Sequence, residues 1–147
     1  MKLQVGLSYL RSELHQHFGG NPRAGICPTR SGPVLVFSDP PSGTRFGYDA
    51  NDEVVGDIYR YTGEGRSLDQ QFVRGNKALL GAEVILLFSR IDSKSWIFVG
   101  EVSLADPAFE FAQAPDQLGN LRRVIVFRFL AKNAELSLIG RNLPGSQ

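Results

Sequence analysis

Two stretches, GYDANDEVVGDIYRYTGEG (47–65) and DQQFVRGNKALL (69–80), decide how this chain is read. In and around the first, aromatic and β-branched residues sit between turn formers. TRFGYD (44–49) and VVGDIYRYT (54–62) are therefore expected to be strands paired across an acidic turn at Asn51 to Glu53. In the second, Leu68, Phe72, Ala78, Leu79 and Leu80 follow Ser67 and Asp69. That spacing predicts a helical segment within 67–81, interrupted by Gly75.

Upstream, Leu7, Leu10, Leu14 and Phe18 recur every three or four residues, predicting a helix capped near its start by Ser8 and ended by Gly19 and Gly20. Its other face carries Arg11 and His15 one turn apart, with Gln16 beside them. A Gly/Pro/Asn-rich loop (19–32) leads to PVLVF (33–37), a buried strand. Downstream, EVILLFSR (83–90), SWIFVGEVSL (95–104), AFEFAQA (108–114) and RRVIVFRFL (122–130) read as further strands. In RRVIVFRFL, Arg122, Arg123 and Arg128 read as outward positions. So many short strands with one or two helices predict an α+β fold, a twisted or partly closed β-barrel with flanking helices.

The 147 residues fit one domain (1–147) with a core that needs neither disulfides nor metal, and 42% apolar against 21% charged residues excludes wholesale disorder. A lone Cys27 excludes a disulfide framework and a cysteine-rich zinc site; a reducing cytoplasm is the expected compartment. No signal-peptide core or membrane-length apolar run is present, so no membrane partner is expected. A net charge of +1 gives no general attraction to phosphates, although twelve of the sixteen cations are arginine. The acidic run Asp49, Asp52, Glu53 and Asp57 is expected to face away from any polyanion or to orient Arg60 and Arg74.

Read alone, GGNPRAGI (19–26), the YTGEG segment and the RGN segment are glycine-bearing loops beside strands, as compatible with a protein- or small-molecule-binding barrel as with anything else. In this order, YTG-x-G, then DQ, then RGN-x-AL, they resemble the SRA (SET- and RING-associated) family of modified-DNA readers, across about half the chain. With the LHQHFGG helix, the resemblance is nearest to the sulfur-binding, phosphorothioate-DNA-binding domains of type IV HNH restriction endonucleases. It implies a PUA-like barrel and a modified double-stranded DNA partner. It also implies that the chain is the N-terminal recognition part of a longer bacterial defence enzyme, whose covalently linked nuclease domain would cut.

For the sulfur-binding branch, the resemblance places Tyr48, Asp49, Arg74, Gly75 and Asn76 around a small apolar cleft for one non-bridging sulfur. Sulfur is a poorer hydrogen-bond acceptor than oxygen, so an apolar wall costs it less hydration. His15, Gln16, Arg23, Asn51, Tyr61 and Lys77 are the expected backbone or base contacts. For the branch that flips 5-methylcytosine or 5-hydroxymethylcytosine, the resemblance makes Tyr48 and Tyr61 the rings that sandwich the base. A carboxylate three residues after the first tyrosine would read the amine; Asn51 stands there, with Asp52 next to it. No catalytic residue, cofactor or metal is expected, because two histidines, one cysteine and isolated carboxylates supply neither a ligand set nor a nuclease core.

Overall fold

A computed structural model describes residues 1–39 and 52–140, and the expected strand TRFGYD, with Tyr48, Asp49 and Asn51, lies outside the described residues. Eight strands are found there: β1 (Ser8–Leu10), β2 (Ile26–Pro28), β3 (Val34–Ser38), β4 (Glu53–Val55), β5 (Ile58–Thr62), β6 (Ile85–Arg90), β7 (Ser95–Pro115) and β8 (Leu121–Ala134). Two helices, α1 (Arg11–Phe18) and α2 (Arg74–Leu80), flank them. The ladder runs β2-β3-β6-β7-β8-β5-β4, with β1 added to β7; among the described strands only β3 and β6 are parallel. The sheet is thus open and curled. Across the gap, the Ser38 and Tyr59 hydroxyls lie 2.6 Å apart, and Tyr61 donates to the Phe37 carbonyl.

PVLVF is apolar without alternation because β3 is buried on both faces. Val34 and Val36 join Ile85, Leu87, Ile97, Val99, Ile125, Phe127 and Phe129 inside the curl, over which Leu79 of α2 packs. Leu35 and Phe37 point the other way, to Leu14 of α1, Phe88, Trp96 and Phe98. No helix among the described residues is long and apolar enough to cross a membrane.

Several expectations change. Ser8 does not cap a helix, and Leu7 and Leu10 are exposed: pairing of Ser8–Leu10 with Ile97–Ser95 captures that segment as a strand, and α1 starts at Arg11. Gly19 does end α1, at φ +86°, where its N–H bonds to the His15 carbonyl. VVGDIYRYT is a hairpin rather than one strand, because Gly56 adopts φ +61° in the two-residue turn between Val55 and Ile58. SWIFVGEVSL and AFEFAQA fuse into the single strand β7, whose register slips between Leu104 and Phe109, where Pro107 has no N–H to give. Gly75 lies inside α2, not at a break. Arg122 is buried, not outward: it donates to the carbonyls of Gly65 (2.6 Å) and Leu68 (3.2 Å).

The β7–β8 pair needs one glycine above all. At Gly100, φ is +132° and a Cβ would overlap the backbone of Asn133 and Ala134. Gly100→Ala is expected to destabilise the chain by about 3 kcal/mol or more, read as a lower midpoint in urea unfolding.

Candidate nucleic-acid interface

The YTGEG loop follows β5 and is held by two buried amides. Asn76 accepts from the Glu64 N–H (2.8 Å) and donates to the carbonyls of Glu64 (3.0 Å) and Gln71 (2.9 Å). Gln70 donates to the carbonyls of Gly63 (2.8 Å) and Gly65 (3.2 Å) and accepts from Ile125 N–H. The Asp69 carboxylate caps the Arg123 N–H at 2.8 Å. Glu64 then reaches back between the loops, accepting from Ile26 N–H (3.1 Å) and from Gly75 N–H. A Cβ on Gly75 would lie 2.7 Å from the Glu64 carboxylate, so glycine is required for that approach. Burial raises the Glu64 carboxyl above its ordinary value, against the lowering effect of the two amides.

These loops enclose a cavity of about 590 Å³. One side is made by Tyr61, Thr62, Gly63 and Glu64; the others by Arg11, the 22–25 loop, Phe37 and Asp39 of β3 and its end, and Arg90, Ser93 and Trp96. Asp52 and Arg66 also line it. Asp52 accepts from the Thr62 N–H at 2.6 Å, and Asp39 pairs with Arg90 at 2.5 Å. Three carboxylates and four arginines thus meet aromatic rings in one concave site, the composition of a pocket for a polar ring rather than for a hydrocarbon.

Of the described candidates, Arg23 and Tyr61 line this cavity, and Arg74, Gly75, Asn76, Lys77, His15 and Gln16 do not. Tyr61 is buried, with its ring between Tyr59 and Phe129 (centroids 6.1 and 5.7 Å), and burial lifts its hydroxyl well above the usual tyrosine value. It is a core ring that contributes part of the wall. Both His15 nitrogens are spent: Nε2 accepts from Arg11 Nε (2.9 Å) and Nδ1 bonds the Gly19 carbonyl (2.8 Å). That fixes a neutral tautomer, in keeping with a value lowered by burial. Gln16, Arg23, Arg74 and Lys77 are exposed, and none of the three cations is in an ion pair among the described residues. Arg74 is strained as well, at φ +49°. Asp52 lines the cavity, and Glu53 pairs with Arg60, at 3.0 Å. Arg11, Asp52 and Glu64 are among the cavity residues absent from the candidates; only the Arg11–His15 spacing and the Asp52 position hinted at them.

An open, curled sheet with two flanking helices and a loop-lined cavity at the YTG turn defines the class, an SRA-type DNA-binding domain. Within it, the chain belongs to the ScoMcrA-like SRA domain family, whose model matches residues 5–136. Among solved structures, the chain resembles "Sulfur binding domain and SRA domain of ScoMcrA complexed with phosphorothioated DNA", at 18% identity and TM-score 0.66, over 88% of this chain and 40% of that one. It also resembles the "Modification dependent TagI restriction endonuclease" (18% identity, TM-score 0.59, 93% and 53%). A third is KRYPTONITE "in complex with mCHH DNA, H3(1-15) peptide and SAH" (14% identity, TM-score 0.56, 90% and 32%). This chain therefore spans about half or less of the length of each of these three neighbours. No curated protein matches it.

The Asn76 clamp can be tested directly. Asn76→Ala removes three hydrogen bonds and leaves the Glu64 N–H without its acceptor. A loss of about 2–4 kcal/mol in unfolding free energy is expected by chemical denaturation.

Proposed function

We propose that this chain recognises modified double-stranded DNA by drawing one 5-methylcytosine or 5-hydroxymethylcytosine out of the helix into the cavity. Asp52 accepts the exocyclic amine, Tyr48 supplies a stacking face, and Arg23, Arg74 and Lys77 hold the flanking phosphates. In the full-length protein, the chain directs a linked nuclease domain of HNH type to such sites. The observation that carries this reading is the cavity itself: about 590 Å³, with Asp52 and Glu64 on a wall that also holds Tyr61 and Thr62. Extruding a base costs a few kcal/mol, and stacking returns about 1–3 kcal/mol. A carboxylate carries about four acceptor sites, which suits it to reading a cytosine amine. The strained backbone of the exposed Arg74 supports a functional role, since such strain persists chiefly where it serves one.

A second reading, recognition of a phosphorothioate by the Tyr48 and Arg74 cleft with Asp49, Gly75 and Asn76, is favoured by the phosphorothioated DNA in one neighbour. Three considerations weigh against it. That neighbour's name sets a sulfur-binding domain beside an SRA domain, and the family matched here is the SRA one. Neither Arg74 nor Asn76 lines the cavity, and the Asn76 amide is already fully engaged with backbone.

Fluorescence anisotropy with matched duplexes separates the two. A duplex with one modified cytosine is expected to bind about tenfold or more tighter than its plain counterpart, and Asp52→Asn to erase that preference. If affinity rises only for an Rp phosphorothioate duplex, the second reading replaces the first. Arg74→Gly relieves the positive φ, so stability should hold or rise by up to about 1 kcal/mol while DNA affinity falls and the salt slope shrinks by about one.

A further inference from the structure

The cavity has a wall that amine recognition and stacking leave unused, formed by Arg11, Phe37, Arg90, Ser93 and Trp96. Arg11 is its unusual member. It opens α1, where the helix dipole is positive and a cation is disfavoured. Its guanidinium is half-buried, 3.8 Å above the Phe37 ring and 5.6 Å from that of Trp96. Arg90 on the same wall is neutralised by Asp39, but no carboxylate lies within ion-pair distance of Arg11 among the described residues. Nε is held by His15, and Nη2 by the carbonyls of Ala24 and Asn21 and the Cys27 sulfur. No hydrogen bond from Nη1 to a described residue is formed, so the held guanidinium has a donor to spare.

The groups around Arg11 do not supply the missing negative charge. Burial keeps Cys27 a thiol, raised to about 11, and keeps the Tyr61 hydroxyl protonated. His15 is neutral through its two bonds. A half-desolvated cation of this kind is a poor neighbour for a methyl group and a good one for oxygen.

We propose that Arg11 donates to an oxygen on the substituent of the extruded base, so that the chain prefers a pyrimidine with a hydroxymethyl or larger oxygenated group over one with a bare methyl. This rests on the cavity's being a nucleobase pocket, and it adds to that reading which modification the pocket selects.

The test uses the whole chain and four duplexes that differ only at one cytosine: unmodified, 5-methyl, 5-hydroxymethyl and glucosylated 5-hydroxymethyl. Wild type, Arg11→Met and Arg11→Lys are compared by anisotropy, with thermal melts to show which variants fold. The hydroxymethyl or glucosylated duplex is expected to bind about tenfold tighter than the methyl one. Arg11→Met should bring that ratio near one. Arg11→Lys, which keeps the charge but not the planar fork, should lower it, and carries the test if Arg11→Met does not fold. A wild type that binds the methyl duplex as tightly as both oxygenated ones, yet all three above the unmodified duplex, overturns the Arg11 assignment and leaves the nucleobase pocket standing. An Arg11→Lys ratio equal to wild type overturns it too. Equal weakening of all four duplexes by Arg11→Met would mean contact with the nucleotide phosphate, and also overturns it. Failure of every modified duplex to exceed the unmodified one would defeat the nucleobase reading itself.

Discussion

The buried amide of Asn76 is the constraint on which the site depends. By bonding both the N–H and the carbonyl of Glu64, it fixes the backbone of the loop after β5 as a neighbouring strand would. Gln70 does the same for Gly63 and Gly65, and the buried Arg122 holds Gly65 and Leu68 from beneath. Replacing such an amide with an apolar group of similar size would strand several backbone groups away from water. The loop can therefore be rigid while made of glycine and small polar residues.

That rigidity is what lets charged groups line a cavity. Glu64 is tied to Ile26 and Gly75, so one carboxylate joins the 19–26 loop, the YTGEG loop and the start of α2. Asp52 is tied to Thr62, and Asp39 to Arg90. Each acid is thus held by a specific partner before any ligand arrives, which lowers the ordering cost of binding. Arg11 differs: its partners are carbonyls, a thiol, an imidazole and an aromatic face, so its positive charge remains for something else to meet.

Net charge near zero is compatible with a DNA-binding domain once the charges are sorted by position. Glu53 and Glu110 pair with Arg60, and Glu101 with Lys132. Arg123 lies over Phe111, and Arg128 is bonded to the Pro107 carbonyl. Arg23, on the loop that lines the cavity, and Arg74 and Lys77, on α2, stay exposed and outside ion pairs among the described residues. Phosphate contact depends on such uncommitted cations rather than on the sum over the chain.

The sequence alone determined the class. Dense β-forming runs, the buried PVLVF strand, the helix stop at Gly19 and the order of YTG-x-G, DQ and RGN point to a small α+β, SRA-like domain, because periodicity and turn chemistry are local properties. Tertiary structure decided what the motif residues do. Asn76 and Gly75 read as ligand contacts and Gln70 only as part of the DQ motif, yet the two amides clamp a loop and the glycine makes room for Glu64, since a buried amide bonds whichever backbone the fold brings near. Leu7 and Leu10 carry helical spacing but lie in or beside a strand, because pairing with β7 outweighs a short apolar stripe. The β4–β5 hairpin brings Asp52 beside the YTGEG loop and Glu64, but only the tertiary fold sets Arg11, some forty residues upstream, around the same cavity.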